Sequence, residues 1–471
     1  MKYDYDLIVI GLGPAGMAVS IMGAEMGLSV CAIEKNNIGG ECMNVGCIPS
    51  KALLRMGKVR HLTTRMADYE LSETPEPDVL KPFEQIAEQL NFISEKKTIG
   101  MFDRVDLIYR QGAARMVDAH TVEVGERRVT AKRIYICIGT SPAIPKFPGL
   151  DQIEVLTNEN MFHLEEIPES MIVLGGGAIA CEMAQAFSRL GSKVTMIIRG
   201  PRLMWREDQD TTDLLEATFE REGITILREQ KPTQFTEKDA RVVMETDAGQ
   251  TVEAERVLVA AGRQFNFESL ELENAGIKYS EKGIHVNKRL QTSRKNIYAC
   301  GDCNGYYQFS HAAMHQGMIA LINSMSPWPV KFNFLKYVVP WTVFTEPQIS
   351  RAGMSERMLQ EKKIRYETVR VNYGDYGAAI AERIDEGHIK AFVSPTLGRI
   401  LGVTIVGEGS GEMINEWALA IQNKLSMRHI LFQQHSFPTM GFLTKRMGEQ
   451  WMMGKMKSNF LKKMCAMMFR I

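Results

Sequence analysis

The sequence predicts an α/β fold that contains two domains built on parallel sheets. Two observations predict these domains. A strand, a glycine-rich turn and a helix follow one another around GLGPAG (11–16), and the same order occurs again around GGGAIA (175–180). The length of 471 residues leaves room for a third domain, at roughly 100–200 residues per domain.

Composition excludes several other classes of protein. The chain is 45% apolar and 24% charged, with a net charge of zero, so its charge does not indicate nucleic-acid binding. It enters a strand (LIVI) near its start without a signal peptide and has no apolar run of about 18 residues, which predicts a cytoplasmic protein. Eight cysteines in 471 residues are too few for a disulfide scaffold, so a close cysteine pair is expected to be redox-active or metal-binding.

The first glycine turn lies in a complete βαβ pattern. A strand at 4–10 precedes the turn, a helix follows to about Gly27, and a second strand ends at Glu34. Gly11 permits the tight turn, Gly13 lets a pyrophosphate approach the backbone, and Gly16 allows the helix to pack on the strand. Glu34 would accept hydrogen bonds from ribose hydroxyls, so we predict a dinucleotide site.

The second pattern, at 171–199, differs where its second strand ends. Gly175, Gly177 and Ala180 hold the small-residue positions, but Ile198 and Arg199 stand where the first pattern has Glu34 and Lys35. Arg199, with Arg202 or Arg206, can hold a 2′-phosphate, so we expect NADPH rather than NADH, with NADH still possible. The alternative is that these arginines form a solvated loop.

Three further segments complete the nucleotide-binding sheets. IYICIGT (134–140) and VLVAAGR (257–263) are predicted strands that return to each sheet, and NIYACGDC (296–303) places Asp302 at a carboxyl edge. Ligands bind at such edges. Together with the first turn these segments resemble an FAD site, which assigns FAD to the first domain and the exchanging nucleotide to the second.

The segment GGECMNVGCIPSKAL (39–53) carries Cys42 and Cys47. It resembles the redox-active motif of the class I pyridine nucleotide–disulfide oxidoreductases, the family of glutathione reductase, dihydrolipoamide dehydrogenase and mercuric reductase. The resemblance extends from Asp6 to about Thr439, with GLGPAG, the cysteine motif, GGGAIA, ACGDC and VPWTVFTEPQISRAGMSE in the family's order.

This resemblance implies two Rossmann-like FAD and NAD(P) domains, a C-terminal α+β dimerisation domain, and a homodimer. It implies that NADPH reduces the flavin, which in turn reduces a Cys42–Cys47 disulfide. Cys47 would be the thiolate beside the flavin and Cys42 the thiol that exchanges with substrate. Lys51 would lie beside the flavin and pair with Glu182.

The predicted cofactor sites follow from the same motifs. For FAD they comprise Gly11, Gly13, Pro14, Ala15, Gly16, Glu34, Lys35, Gly40, Glu41, Gly139, Thr140, Gly301, Asp302 and Ser310. For NADP they comprise Gly175, Gly177, Ala178, Ile179, Arg199, Arg206 and Gly262. No resident metal site is predicted, and Cys300 and Cys303 are interpreted as buried packing residues.

The chain departs from the family near its C-terminal end. Disulfide-reducing members end in His-x-His-Pro-Thr followed by a glutamate, and the second His and that Glu form the acid–base dyad that acts across the dimer. In QHSFPTMGFLTK the dyad positions hold Phe437 and Phe442, and only His435 remains, where a structural role is favoured over that of a displaced base. Since thiol–disulfide exchange needs a proton for the leaving thiolate, efficient disulfide reduction is not expected.

These departures are closest in character to mercuric reductase, which lacks this His and reduces a thiolate-bound metal ion. The chain also differs from that enzyme, because it has Cys465 in place of a terminal Cys-Cys pair and no N-terminal metal-handling domain. The acceptor is therefore predicted to be a thiol-bound metal ion or another non-disulfide acceptor. The alternatives are a disulfide reductase or dihydrolipoamide dehydrogenase, and an electron donor that docks on a membrane or partner.

The Met-rich tail predicts an amphipathic helix from Phe460, with the apolar positions Phe460, Leu461, Met464, Met467, Met468 and Ile471. It could pack on the dimer, contact an anionic membrane or partner through its lysines, or pass a soft cation toward Cys42. The predicted domains are 1–150 and 286–338 for FAD, 151–285 for NAD(P)H, 339–445 for dimerisation, and 446–471 for the tail.

Overall fold

The computed structural model describes residues 2–327 and 331–469, and only the backbone of residues 95, 96, 460 and 461. The chain forms two compact units. The first runs to Gly175 and also contains Ala186–Ile197 and Gln230–Lys336. The second contains Gly176–Gln185, Ile198–Glu229 and the chain from Tyr337 onward.

Most strands lie before residue 300. In chain order they are β1 (Tyr5–Ile10), β2 (Val30–Glu34), β3 (Asp106–Tyr109), β4 (Arg115–Met116), β5 (Thr121–Val124), β6 (Arg127–Ile136), β7 (Ser141–Pro142), β8 (Val155–Leu156), β9 (Ser170–Leu174), β10 (Lys193–Ile197), β11 (Thr225–Leu227), β12 (Pro232–Lys238), β13 (Arg241–Thr246), β14 (Thr251–Ala254), β15 (Arg256–Val259), β16 (Arg263–Gln264), β17 (Tyr279–Ser280), β18 (Gly283–Ile284) and β19 (Ile297–Ala299).

Seven α-helices are described in this part of the chain. They are α1 (Pro14–Glu25), α2 (Gly40–Asn44), α3 (Cys47–Thr63), α4 (Pro82–Ile93), α5 (Ala178–Arg189), α6 (Gln209–Arg221) and α7 (Ser310–Met325).

The main sheet of the first unit has a parallel centre. β1 pairs in parallel with β2 and β6, β2 with β3, and β6 with β19, while β5 and β4 extend the sheet antiparallel. β2 is buried along its whole length, and Leu7–Ile10 of β1 is buried too, as expected for strands covered on both faces. The carboxyl ends of β1, β2, β6 and β19 therefore meet at one edge.

A second parallel sheet in this unit has the order β10-β9-β15-β8. The antiparallel strands β12, β13 and β14 form a separate sheet. Both predicted return strands pair as expected, β6 with β1 and β15 with β9. Both strands end before their predicted limits, β6 at Ile136, before the left-handed Gly139 (φ +67°), and β15 at Val259, while β6 begins earlier than predicted, at Arg127.

The second unit contains an antiparallel sheet covered by helices. Its strands are β20 (Trp341–Val343), β21 (Ile349–Gly353), β22 (Glu367–Asn372), β23 (His388–Val393) and β24 (Ile400–Val406), in the order β20-β21-β24-β23-β22. Its later helices are α8 (Glu356–Glu361), α9 (Gly377–Ala381), α10 (Ser410–Gln422), α11 (Met427–Phe432), α12 (Phe442–Met456) and α13 (Asn459–Met468). Trp417 and Tyr373 are fully buried in its core. The α+β class predicted for this part of the chain is confirmed.

A buried charge cluster lies inside the second unit. Lys390 on β23 pairs with Asp208 at 2.8 Å and with Asp210 at 2.5 Å, and Arg351 on β21 pairs with Glu207 at 2.9 Å. These pairs connect the acidic segment at the start of α6 to the antiparallel sheet. Among the described residues, no helix combines the length and the apolar character that crossing a bilayer requires.

Candidate active site

The first glycine turn joins β1 to α1. Gly11 has φ +88°, and a Cβ there would lie 2.7 Å from the carbonyl oxygen of Cys137. A Cβ on Gly16 would lie 1.9 Å from the carbonyl oxygen of Gly11, so both glycines are required by the packing of the turn. A Cβ on Gly13 would meet no atom within 4 Å. The turn therefore leaves open space at Gly13, beside the helix that begins at Pro14, where a phosphate can approach backbone N–H groups.

Glu34 ends β2 next to this turn. Its Oε2 accepts a hydrogen bond from the backbone N–H of Leu12 at 2.7 Å, and its Oε1 accepts one from the N–H of Asn36 at 2.7 Å. The side chain is buried, whereas the neighbouring Lys35 is exposed. Each carboxylate oxygen retains a lone pair. Glu34 can thus hold the turn and still accept from a ribose hydroxyl.

A second carboxylate follows β19 at the same edge of the sheet. Asp302 accepts from the hydroxyl of Thr140 at 3.4 Å, and the preceding Gly301 donates its N–H to Gln316 at 2.9 Å. Burial raises the pKa of the Asp302 carboxyl. Gly139 and Thr140 follow the end of β6, so the predicted FAD residues of β1, β2, β6 and β19 meet at one edge of the sheet.

The two cysteines lie at the junction of the short helix α2 and the long helix α3. Cys42 is in α2, and Cys47 is the first residue of α3. A Cβ on Gly46 would lie 2.9 Å from the carbonyl oxygen of Glu41, so this junction requires a glycine. Sγ of Cys47 lies 3.4 Å from Oγ of Ser310, the first residue of α7.

The two thiols are hydrogen-bonded to each other. The pKa of Cys42 is raised, first by its hydrogen bond to Cys47, then by burial and by the charge of Cys47, while a hydrogen bond from Ser310 lowers it. The thiolate is the nucleophilic form of a cysteine, and the expectation that Cys47 is the working thiolate stays a prediction.

Lys51 and Glu182 lie in different units of the chain. Lys51 is one turn after Cys47 on α3, on the same face of that helix, and its Nζ is 3.4 Å from Oγ of Ser50. Glu182 is buried on α5 and accepts the backbone N–H of Phe344 at 2.9 Å. Their predicted pairing stays a prediction.

A residue that sequence reasoning missed is Arg263. It forms an ion pair with Glu41, directly before Cys42, and donates to Oγ1 of Thr140 at 2.9 Å and to its carbonyl oxygen at 2.8 Å. Burial raises the pKa of Glu41 and the Arg263 charge opposes that shift. Arg263 thus connects the cysteine segment to the end of β6. The signal for it was its place directly after Gly262 in VLVAAGR.

The second glycine turn follows β9. Gly175 has φ +133°, and a Cβ there would lie 2.4 Å from the carbonyl oxygen of Ala260, so this turn also requires glycine. A Cβ on Gly177 or on Gly262 would meet no atom within 4 Å. α5 begins directly after the turn, at Ala178, and Ile179 on its first turn is exposed.

The arginines after β10 have different surroundings. Arg199 and Arg206 are exposed. Arg202 donates to the carbonyl oxygens of Trp205 at 3.3 Å and of Glu207 at 3.1 Å, so its guanidinium holds the loop together. Arg206 stacks over the exposed ring of Trp205 at 5.6 Å. Of the two partners considered for Arg199, Arg206 is therefore the one that presents a guanidinium to solvent.

The C-terminal segment has aromatic rings at the two positions where disulfide-reducing members of the family carry the acid–base dyad. Phe437 is 71% exposed and packs edge-on against Phe442 at 5.2 Å, and Phe442 stacks on Tyr376 at 5.9 Å. His435 is held by a hydrogen bond between its Nε2 and Oε1 of Glu416, at 3.0 Å. Glu416 was missed by sequence reasoning, because it lies 19 residues before His435 on a different element.

The remaining predicted features fall outside these clusters. Within residues 2–327 and 331–469, no group of three or more His, Cys, Asp or Glu side chains is placed to hold a metal ion. Cys300 and Cys303 are buried, and the thiol of Cys303 donates to backbone carbonyls. Ile471 and the side chains of Phe460 and Leu461, three of the six predicted apolar tail positions, lie outside the described residues.

Comparison with known proteins gives consistent matches along the chain. Residues 5–317 match the family model described as pyridine nucleotide-disulphide oxidoreductase. Residues 339–446 match the dimerisation domain of the same family, which indicates a homodimer.

Curated relatives include two kinds of enzyme. A mercuric reductase of Staphylococcus aureus is 31% identical over 432 residues, covering 91% of this chain and 79% of that protein. A dihydrolipoyl dehydrogenase of Bacillus subtilis (strain 168) is 32% identical over 438 residues, covering 88% of this chain and 92% of that protein.

Among solved structures, the HOCl-induced flavoprotein disulfide reductase RclA from Escherichia coli is similar, with a TM-score of 0.85 and 26% identity, over 95% of this chain and 99% of that chain. A Cu(II) complex of the same protein matches equally well.

Proposed function

Because the chain belongs to the pyridine nucleotide-disulphide oxidoreductase family, as an FAD-dependent enzyme that uses NAD(P)H, we propose that it oxidises NADPH and reduces a thiol-bound soft metal ion through Cys42 and Cys47. One observation carries the choice of acceptor. Phe437 and Phe442 pack against each other in the segment where disulfide-reducing relatives carry a His–Glu dyad.

The missing dyad matters because the two kinds of acceptor differ in their need for a proton. Breaking a substrate disulfide releases a thiolate that must be protonated, and general acid catalysis of such a step is typically worth about 10²–10⁴-fold. A bound metal ion that accepts electrons has no such leaving group. Two phenylalanines cannot donate a proton, so the site suits the metal better than the disulfide.

Thiolates are the ligands that soft cations prefer. Cys42 and Cys47, each having lost its proton, would bind the cation. Two electrons would then pass to the metal while the Cys42–Cys47 bond forms, so that one Hg(II) leaves as Hg(0) or two Cu(II) leave as Cu(I). Mercuric reductases are among the relatives, and one of the similar structures is a Cu(II) complex of RclA. Both similarities support this class of acceptor.

The residues at the sheet edge fit FAD. Gly13 leaves open space beside the start of α1, and Glu34 and Asp302 present carboxylates at the ends of β2 and β19. These residues would hold the pyrophosphate and the sugar hydroxyls. Bound FAD supplies two-electron transfer between a nicotinamide and a dithiol. The chain's own contribution is to position Cys47 at the first turn of α3 and to stabilise its thiolate from Ser310.

The preference for NADPH rests on the loop after β10. Arg199 and Arg206 are exposed and would hold a 2′-phosphate, whereas Arg202 is occupied by backbone carbonyls. No acidic side chain follows this strand directly to bind a ribose 2′-hydroxyl.

A second candidate function is reduction of a disulfide or oxidation of dihydrolipoamide. The hydrogen bond between His435 and Glu416, at 3.0 Å, favours it, because a carboxylate that orients an imidazole is the arrangement of a general acid–base. The dihydrolipoyl dehydrogenase among the relatives supports the same class. We place it second because the His435 side chain is only 7% exposed.

The test is an anaerobic survey of acceptors for NADPH oxidation by the FAD-loaded enzyme, using glutathione disulfide, lipoamide, an Hg(II)–thiol complex, Cu(II) and a quinone. Wild type, Cys42→Ser and the matched control Cys465→Ser, at an exposed cysteine of the tail, are compared. We expect turnover of the metals that is lost in Cys42→Ser and retained in Cys465→Ser. Cys42-dependent turnover of a disulfide with none of a metal would make the second candidate correct. Quinone turnover that does not need Cys42, without metal turnover, would contradict both.

A further inference from the structure

The end of the chain is basic over a long stretch. From Gln450 onward the sequence contains no Asp or Glu, and its lysines are Lys455, Lys457, Lys462 and Lys463. Lys457, Lys462 and Lys463 are exposed. The tail therefore carries a local positive charge, although the net charge of the whole chain is zero.

The same stretch exposes large apolar side chains. Met467 is 63% exposed, Met468 is 64% exposed and Phe469 is 96% exposed. On α13, positions 464, 467 and 468 share one face by helical periodicity, and lysines 462 and 463 lie off that face. A helix with an apolar face and flanking lysines is the pattern of a segment that lies in a membrane interface.

The preceding helix, α12, is fixed to the antiparallel sheet of the second unit. Lys455 pairs with Glu367 on β22 at 2.6 Å and donates to the carbonyl oxygen of Pro395 at 2.9 Å. The ring of Trp451 packs against Gly398, where a Cβ would lie 2.5 Å from the ring. α13 thus follows a segment that is held on the sheet, while Lys462, Lys463, Met467 and Met468 of α13 are exposed.

We propose that α13 is a docking surface for an anionic lipid bilayer, lying on the membrane with its methionines in the interface and Lys457, Lys462 and Lys463 beside the lipid phosphates. The charge decides the occupant. Lysines near an anionic surface are attracted to its negative charge, and an apolar or cationic surface does not supply this attraction. A second copy of this chain would bring like-charged lysines together around a two-fold axis.

The docking is independent of the chemistry at Cys42, so the acceptor survey and the lipid experiment succeed or fail separately. If both succeed, the enzyme carries out its reduction at a membrane surface.

The test is flotation of the FAD-loaded, full-length enzyme with vesicles of phosphatidylcholine alone and of phosphatidylcholine mixed with phosphatidylglycerol. We expect binding to the anionic vesicles only, weakened by added salt because exposed charges are screened. Lys462→Glu/Lys463→Glu should weaken it at least about tenfold, and Met467→Ser/Met468→Ser should also lower it.

Two matched controls distinguish a specific surface from general stickiness. Lys362→Glu/Lys363→Glu changes another adjacent pair of exposed lysines, and Met26→Ser/Met101→Ser changes two methionines of similar exposure. Neither should alter flotation, and NADPH oxidation by all four variants should match that of wild type. Equal binding to both kinds of vesicle, no binding to either, or equal loss in the controls would overturn the proposal. A smaller sedimenting species for the tail variants than for wild type would also overturn the proposal, because it would show that a second copy of the chain covers this face.

Discussion

The hydroxyl of Ser310 lies 3.4 Å from the sulfur of Cys47, although the two residues are 263 positions apart in the chain. Each is the first residue of its helix, α7 for Ser310 and α3 for Cys47. A helix start favours negative charge, and a hydroxyl that donates to a thiolate favours it further. The arrangement therefore stabilises the ionised form of the cysteine pair.

Ser310→Ala should raise the apparent pKa of the reactive thiol in the reduced enzyme. The hydrogen bond from Ser310 lowers the pKa of Cys42, so removing it should shift the pH profile of alkylation by iodoacetamide upward, by about half a unit to one unit. Ser310→Thr retains the hydroxyl and serves as the control. An alanine variant with the wild-type profile would show that Ser310 does not act on the thiolates.

Arg263→Met should destabilise the protein in a pH-dependent way. It leaves the Glu41 carboxylate half-buried without the charge that opposes its desolvation, so we expect a loss of about 1–2 kcal/mol at pH 8, discounted for partial exposure. With its folded-state pKa raised, Glu41 stays protonated at lower pH, so the loss should shrink toward pH 5. Urea midpoints measure it.

The double variant Arg263→Met/Glu41→Gln isolates the cause of that loss. Without the carboxylate, the pH dependence added by Arg263→Met should disappear. If the double variant kept the same dependence, the effect would arise from the bonds of Arg263 to Thr140 instead.

His388 should make the protein less stable in acid. Burial, followed by the charge of Arg370, lowers its pKa to about 4, below the value of about 6.5 expected in the unfolded chain. The unfolded state then binds more protons between these values, so stability present above pH 6.5 is lost as the pH falls toward 4. The loss is at most about 3 kcal/mol.

His388→Asn should remove that part of the acid loss, measured as the difference from wild type in urea unfolding at pH 7 and pH 5. The difference from wild type is needed because Glu207 also changes the stability in this pH range. Burial raises the pKa of Glu207 to about 7, so its contribution to stability changes with pH in the opposite direction. His285→Asn, at an exposed histidine, is the control. Parallel curves for wild type and His388→Asn would contradict the prediction.

Phe437→His/Phe442→Glu should increase disulfide reduction. Both side chains already pack together, with ring centroids 5.2 Å apart, so a His and a Glu at these positions start as neighbours. We expect a rise of about tenfold to a hundredfold in kcat/KM for glutathione disulfide or lipoamide, below the full range for general acid–base catalysis because the surrounding groups are not adapted to it. Phe437→His alone is the control. No increase in the double variant would show that something other than the dyad limits this reaction.

Arg199→Ala/Arg206→Ala should impair the use of NADPH specifically. A phosphate that loses two guanidinium partners should raise the KM for NADPH roughly 10–100-fold while the kcat/KM for NADH changes little. Arg365→Ala, at an exposed arginine after α8, is the control. Equal loss with both nucleotides would mean that these arginines support the loop rather than bind a 2′-phosphate.

The sequence by itself predicted the turns and helix starts, because these depend on residues that are close together in the chain. A Cβ on Gly11 would collide with backbone and one on Gly16 would lie even closer, so these glycines could be assigned from spacing alone. Cys47 could be placed at a helix start for the same kind of reason, because it follows Gly46 and precedes a helical run. The order of strand, glycine-rich turn and helix likewise predicted the two parallel sheets.

Tertiary structure alone decided which distant side chains meet. Arg263 reaches Glu41 across 222 residues, because β16 follows the glycine turn after β15, and Glu416 holds His435 from a neighbouring helix. Lys390 pairs with Asp208 and with Asp210, and Asp210 is 180 residues away in the chain. Such pairs depend on the order of strands in a sheet and on burial. Burial strengthens each charge interaction because it removes water. Neither strand order nor burial can be read from a short stretch of sequence.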